Sequence, residues 1–258
     1  MLRVVIICAE YPPYVRGGLG AHYADLAPKL AEICDVTVIA QRPSIRLPAH
    51  ERSGGVDVQR VYAPAQFPLN HIWYNIAVWW RVRKLPADVI DICAPFGFLV
   101  ALFDRRPIIT KLHSLYRVQP GNLLYRLVYF RIAALFDDIF VARSGFVMTT
   151  SGFMNAEIRQ QWHLPADRVV TIPNGVSDFW FEESLDRSAA RATGEGSDYG
   201  EEITEAIEKY NLADSVKIMD WQDRERLRAY YSAADVFVHP ATYEPFGNVT
   251  LGAWVRTP

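Results

Sequence analysis

Short apolar runs alternate with stretches of helical period along most of this chain. Strands are expected at Arg3–Cys8, Asp35–Ala40, Val56–Tyr62, Asp88–Ile92, Pro107–Leu112, Asp138–Val141 with Val147–Thr150, and Val169–Ile172. Helical patterns lie between most of them, at Gly20–Ile33, Leu69–Lys84, Phe96–Phe103, Asn122–Phe136 and Gly152–Trp162. Several strands are near-continuous Val/Ile runs, as expected of strands covered by helices on both faces. The alternation predicts a parallel sheet with right-handed crossovers. Residues 1–172 therefore read as one doubly wound α/β domain.

The pattern breaks at Asp186–Gly200, which is rich in Ser, Ala, Arg, Gly and acidic residues and has no apolar period. That composition predicts a loop or connection. The pattern then resumes with a helix over Glu201–Tyr210, a strand at Ser215–Met219, a helix over Arg224–Ala233, a strand at Asp235–His239 and a helix from near Gly247. Two strands make a thin sheet with little core of its own. The expected organisation is a Rossmann-like domain over 1–176, a connection over 177–200 and a partial second domain over 201–258.

Composition narrows the classes. Half of the 258 residues are apolar and 13% are aromatic, enough for a real core and against a disordered chain. With 27 Lys+Arg against 29 Asp+Glu, no basic excess points to nucleic acid. Cys8, Cys34 and Cys93 are odd in number and far apart, with no disulfide framework and no metal spacing. This favours a reducing, cytoplasmic setting. Met1-Leu2-Arg3 runs straight into a strand and Glu10 interrupts the apolar run, so no leader is expected. The apolar stretch Ala94–Phe103 is too short for a bilayer, which needs about 20 residues.

Four segments carry candidate chemistry. The first loop, Glu10-Tyr11-Pro12-Pro13 through Gly17-Gly18-Leu19-Gly20, follows the first strand and opens a helix. It reads either as a plain connection or as a place where backbone approaches a ligand and helix amides meet an anion. It is not a dinucleotide fingerprint. Gly18-Leu19-Gly20-Ala21-His22-Tyr23 lacks the third glycine, and the second strand ends in Gln41-Arg42 with no acid for a ribose. The second segment is Thr110-Lys111-Leu112-His113, which puts a histidine at the end of a buried strand. Such a histidine can bond a hydroxyl group or be structural. His22, His50, His71 and His163 read as surface or core residues. The third is Pro173-Asn174-Gly175-Val176, a turn at a strand end. The fourth runs from Asp235 to Leu251, where one acid, Glu244, precedes Pro245 and Gly247 opens a helix.

In this order the segments resemble the retaining glycosyltransferases of the GT-B architecture, family 4, the glycogen-synthase-like group. The carriers are Glu10–Pro13 with Gly17–Gly20, Ile172–Val176, Ala233–Pro240 and Tyr243–Gly247, with Gly194-Glu195-Gly196 similar to the family's G-x-G turn. The resemblance implies two Rossmann-like domains with a cleft between them. It implies transfer of a sugar from a nucleotide-sugar donor, with retention, to a sugar, glycan or lipid-linked acceptor, and no bound cofactor or metal. His113 and Glu244 match the catalytic positions. Gly17, Gly18, Asn174, Gly247, Asn248 and Val249 match donor-binding positions. A homodimer and a peripheral membrane contact are both left open.

Three departures qualify that likeness. Gly252 stands where a second acid is expected, eight residues after Glu244. Ser177–Ala192 leaves no room for the strand-helix-strand unit that carries the family's Arg and Lys, and Arg187 and Arg191 lie in no matching context. The sequence also stops before the remaining strands of the second domain. A catalytically inactive relative acting as a binding or scaffold protein is the alternative. Separately, Leu69–Lys84 and Asn122–Arg131 are aromatic and basic. Each reads either as a helix covering the sheet or as a membrane-surface contact.

Overall fold

The computed structural model describes residues 1–15, 17–63, 69–113, 134–181, 201–219, 222–239 and 247–255. The expectations for Glu244, Gly194–Gly196, Arg187, Arg191 and Asn122–Arg131 fall outside the described residues. The chain divides into two compact units, the first built on Met1–Gly175 and the second on Val176–Thr242 with Gly247–Pro258.

The first unit is built on an eight-stranded sheet in the order β3-β4-β2-β1-β5-β6-β7-β8. The strands are β1 (Arg3–Ile7), β2 (Asp35–Arg42), β3 (His50–Ser53), β4 (Val56–Tyr62), β5 (Val89–Cys93), β6 (Ile108–Leu112), β7 (Phe146–Thr149) and β8 (Val169–Thr171). All pairings are parallel except the β3–β4 hairpin at one edge. The chain winds from β1 toward β2 and β4, then returns to β5 on the other side of β1. That reversal leaves a crevice at the carboxyl ends of β1 and β5, the usual ligand position in open α/β sheets.

Side chains that alternate along each strand feed two cores. Val5 and Ile7 with Ile90, Ile92 and Ile108 pack under α2 (Leu69–Val82) and α3 (Phe98–Phe103). Ile6 and Cys8 with Val36, Val38 and Cys93 pack under Tyr23 and Ala27 of α1 (Gly18–Ala31). Helices on both faces explain why the strands are apolar on consecutive positions. A third cluster joins Leu112, Val147 and Val169 to Met154 and Ile158 of α5 (Gly152–Trp162). Ser151 caps α5, accepting from the Met154 N–H at 3.2 Å. Asn75, buried in α2, accepts from the Gly97 and Phe98 amides at 2.9 and 2.8 Å and so caps α3. The three cysteines are free.

Two expectations for this unit are corrected. Asp138–Val141 is not a strand but part of a helix over 134–143, α4. Its buried positions, Ala134, Asp137, Phe140, Val141 and then Ser144, recur at helical spacing. The short run Ile139-Phe140-Val141 mimics a strand only when read alone. The antiparallel β3 was not expected. His50-Glu51-Arg52-Ser53 carries no apolar signal and gains its ladder bonds from β4.

The second unit holds helices α6 (Glu201–Lys209), α7 (Arg224–Ala233) and α8 (Asn248–Trp254). Asp223 caps α7 by accepting from the Arg226 N–H at 2.8 Å. The strands expected at Ser215–Met219 and Asp235–His239 are absent from the described residues. The Ser215 and Val216 amides turn back to the Leu212 carbonyl at 2.9 and 2.8 Å, which commits them to a turn. Val236 and Val238, two residues apart, are each 74% exposed, so one face of that run is uncovered, while Phe237 and His239 on the other are half-buried. A strand has little stability without ladder partners and an apolar face to bury.

Candidate active site

The carboxyl end of β6 gathers the polar groups of the first unit. Ile109, Lys111 and His113 alternate with Ile108, Thr110 and Leu112, so Lys111 and His113 leave β6 on one face. Asp91 of β5, and Tyr23 and His22 of α1, meet them there. Lys111 Nζ donates to His22 Nε2 at 2.7 Å and to Asn174 Oδ1 at 3.0 Å. The Tyr23 hydroxyl donates toward both Asp91 oxygens at 3.4 Å. The His22 and His113 rings stand edge to face, 5.6 Å apart, and Tyr23 lies 5.1 Å from His22.

Burial sets the charges. Lys111 is 1% exposed, and burial brings its ammonium down to about 8, with Asp91 opposing the shift. Asp91 is pushed up to about 6 by burial, restrained by Lys111 and the Tyr23 hydroxyl. Both histidines are pushed down to about 3, first by burial and then by the Lys111 charge. At neutral pH the cluster is therefore one ammonium, one carboxylate and two neutral imidazoles. His113 Nε2 is buried and has no hydrogen-bond partner among the described residues. A buried polar atom without a partner costs stability unless something fills its place.

The first glycine loop is shaped around Glu10. The Gly17 N–H donates to Glu10 Oε2 at 2.9 Å. A Cβ on Gly20 would stand 2.8 Å from Glu10 Cβ and 3.1 Å from Val15 Cγ1, so only glycine fits. The start of α1 thus holds a carboxylate of the chain itself, which suits its positive end. Gly17 and Gly18 are exposed, and Asn174 is buried against Lys111.

In the second unit, Gly247 takes φ +83° before α8, a left-handed conformation that glycine adopts without strain. Asn248 and Val249 form the first turn of α8, and the Thr250 hydroxyl bonds the Gly247 carbonyl. Gly252 is buried on the same helix. A Cβ there would lie 3.3 Å from the Tyr231 ring and 3.5 Å from the Trp180 ring, so aromatic packing occupies the space of the expected acid. Arg228 donates to the Phe179 carbonyl at 2.8 Å and lies 4.0 Å over the Phe179 ring. Arg224 lies 4.9 Å over the same ring. These cations serve the packing around Phe179 and Trp180. His239, expected at a strand end, stacks 6.2 Å from Phe237 without a strand. The described residues contain no group of three or more His, Cys, Asp or Glu placed to hold a metal ion.

The structure brings His113 and Asn174 together with three residues that the sequence reading passed over, His22, Lys111 and Asp91. A signal for two of them was present. Asp91 and Lys111 each interrupt an otherwise apolar buried strand, and a charge in such a place needs a partner.

Residues 16–178 match the family model described as Glycosyltransferase Family 4, and residues 192–255 match Glycosyl transferases group 1. A glycogen synthase of Mycobacterium tuberculosis is 26% identical, covering 98% of this chain and 75% of that protein. Its alignment runs over 314 positions, more than the 258 of this chain, so it carries internal residues without a counterpart here. Among solved structures, the sucrose-phosphate synthase of Thermosynechococcus elongatus superposes with a TM-score of 0.76 at 20% identity, covering 100% of this chain and 80% of that one. HepE of Anabaena, in complex with UDP and glucose, gives 0.68 at 15%, with 100% and 80% coverage.

Proposed function

Since the chain belongs to glycosyltransferase family 4 and has the GT-B type of fold, we propose that it transfers a hexosyl group from a nucleotide-sugar to a carbohydrate, glycan or lipid-linked acceptor with retention of configuration. The observation that carries the reading is His113. It ends a buried strand at the crevice, it is neutral, and its Nε2 is buried without a partner among the described residues. A neutral imidazole in a dry site can hold a sugar hydroxyl during transfer.

Glu244 is the second catalytic residue of this proposal, and lies outside the described residues. Gly17 and Gly18 of the first loop, the Asn174 carboxamide, and the amides of Gly247, Asn248 and Val249 are proposed to bind the donor. No metal or cofactor is assigned to the reaction. Family models of glycosyltransferases and a glycogen synthase align with both units, which does not favour the inactive-scaffold alternative.

The setting proposed is cytoplasmic. No described helix is long and apolar enough to cross a membrane. A peripheral contact is supported by α2, whose Ile72, Trp73, Ile76 and Trp80 are exposed while Tyr74, Val78 and Val82 face the core. The Arg83 guanidinium lies 3.5 Å over the Trp80 ring at the end of that stripe. Changing Arg81, Arg83 and Lys84 to Glu is expected to abolish sedimentation with anionic vesicles, and unchanged sedimentation removes this contact from the proposal. A homodimer is supported by the exposure of Trp254, Val236 and Val238, and sedimentation velocity tests it.

Titration calorimetry with UDP, ADP and GDP tests the donor reading. Micromolar binding of at least one is expected, and binding no tighter than millimolar by all three contradicts it.

A further inference from the structure

The reading above gives Lys111 no part. A fully buried lysine in the middle of a sheet is costly, because an ammonium stripped of water needs hydrogen bonds and an opposing charge in return. This one has both. Its two bonds go to His22 Nε2 and Asn174 Oδ1, and Asp91 on the neighbouring strand supplies the charge.

The chemistry of the donor decides the state of its partners. An ammonium has three N–H groups and no lone pair. His22 Nε2 must therefore be bare, with the ring proton on Nδ1. Asn174 must turn its carbonyl toward Lys111 and its NH2 away. Left to itself, an imidazole exchanges tautomers, so the choice at His22 needs a partner to fix it. Lys111 makes His22 a donor at its remaining nitrogen, with a positive charge behind the ring. Donors of this kind suit a group that only accepts hydrogen bonds, such as a phosphate oxygen, better than a neutral hydroxyl.

We propose that Lys111 is a positioning residue that locks His22 in its Nδ1–H tautomer, so that the imidazole beside the carboxyl end of β6 presents a hydrogen-bond donor to a diphosphate. The diphosphate part rests on the donor reading above. The locking of His22 does not.

Lys111→Met removes the donor at nearly the same volume, and Lys111→Gln retains one N–H donor site should the methionine variant fold poorly. Imidazole carbon and nitrogen NMR shifts at pH 7, assigned with His22→Gln, report the tautomer directly. His22 is expected as Nδ1–H in the wild type and as a mixture or the Nε2–H form in Lys111→Met, with Lys111→Gln between them. A merely structural lysine leaves the tautomer unmoved, and that result overturns the proposal. In calorimetry, Lys111→Met is expected to weaken UDP, ADP or GDP binding about tenfold while leaving the weaker binding of the bare nucleosides unchanged. A tautomer change with unaltered diphosphate affinity overturns the phosphate half alone. No diphosphate binding by the wild type overturns the donor reading and that half with it, while the tautomer result still judges the locking.

Discussion

The two units carry the same β-α patterning and use it differently. In the first, every apolar strand but β8 at the sheet edge finds neighbours on both sides, and Ile6, Ile7, Ile39, Ile90 and Ile92 are fully buried. In the second, Asp235–His239 has an equally apolar pattern, yet Val236 and Val238 face outward and no strand forms among the described residues. An apolar run acquires strand structure from its ladder partners as much as from its own residues.

The contrast can be broken by substitution. Ile92→Ala in the first unit removes a fully buried side chain and is expected to cost about 3–4 kcal/mol in denaturant unfolding. A cost under about 1 kcal/mol means that the sheet is not the core described here. Gly252→Glu comes next. It must displace the Tyr231 and Trp180 rings, at an expected cost of about 2–3 kcal/mol to the second unit alone. Tryptophan fluorescence follows Trp180, and an unperturbed spectrum with full stability shows room for the acid after all.

The pH dependence of the first unit sharpens the comparison further. Between pH 6 and 4 the unfolded chain protonates His22 and His113 while the folded chain keeps both neutral. Asp91 does the opposite, taking up its proton in the folded state first. Two of these protons favour the unfolded state and one the folded, so the cluster by itself lowers stability by about 1.4 kcal/mol per pH unit on acidification. Asp91→Asn removes the opposing group and roughly doubles that slope to about 2.7 kcal/mol per unit. Denaturant midpoints at pH 6, 5 and 4 measure both. The smallest effect belongs to Val238→Ala, expected within about 0.5 kcal/mol because the side chain is exposed. A larger loss places that run in a hidden interface.

Much of the fold was legible because its strands are covered on both faces and read as unbroken Val/Ile runs. The exceptions have separate physical causes. His50–Ser53 is polar and held by its partner strand. Residues 139–141 are apolar on adjacent positions of a helix. Residues 235–239 have no strand partner among the described residues. Of the candidate site, His113 and Asn174 were pointed to by the family resemblance, since alone they read as a strand-end histidine and a turn. The cluster around them was not, since Lys111 meets His22 across 89 positions of sequence and Asn174 across 63. Nothing in local spacing marks such a meeting. Gly252 was legible as a departure, but only the Tyr231 and Trp180 rings show that its space is filled.

The central claim is that His113 faces the transferred sugar. Its most direct test is transfer by His113→Ala, assayed with the nucleotide-sugar that the wild type uses and with circular dichroism confirming the fold. The account predicts a rate at least about a hundredfold lower with the melting profile retained. Wild-type turnover by the folded variant contradicts it.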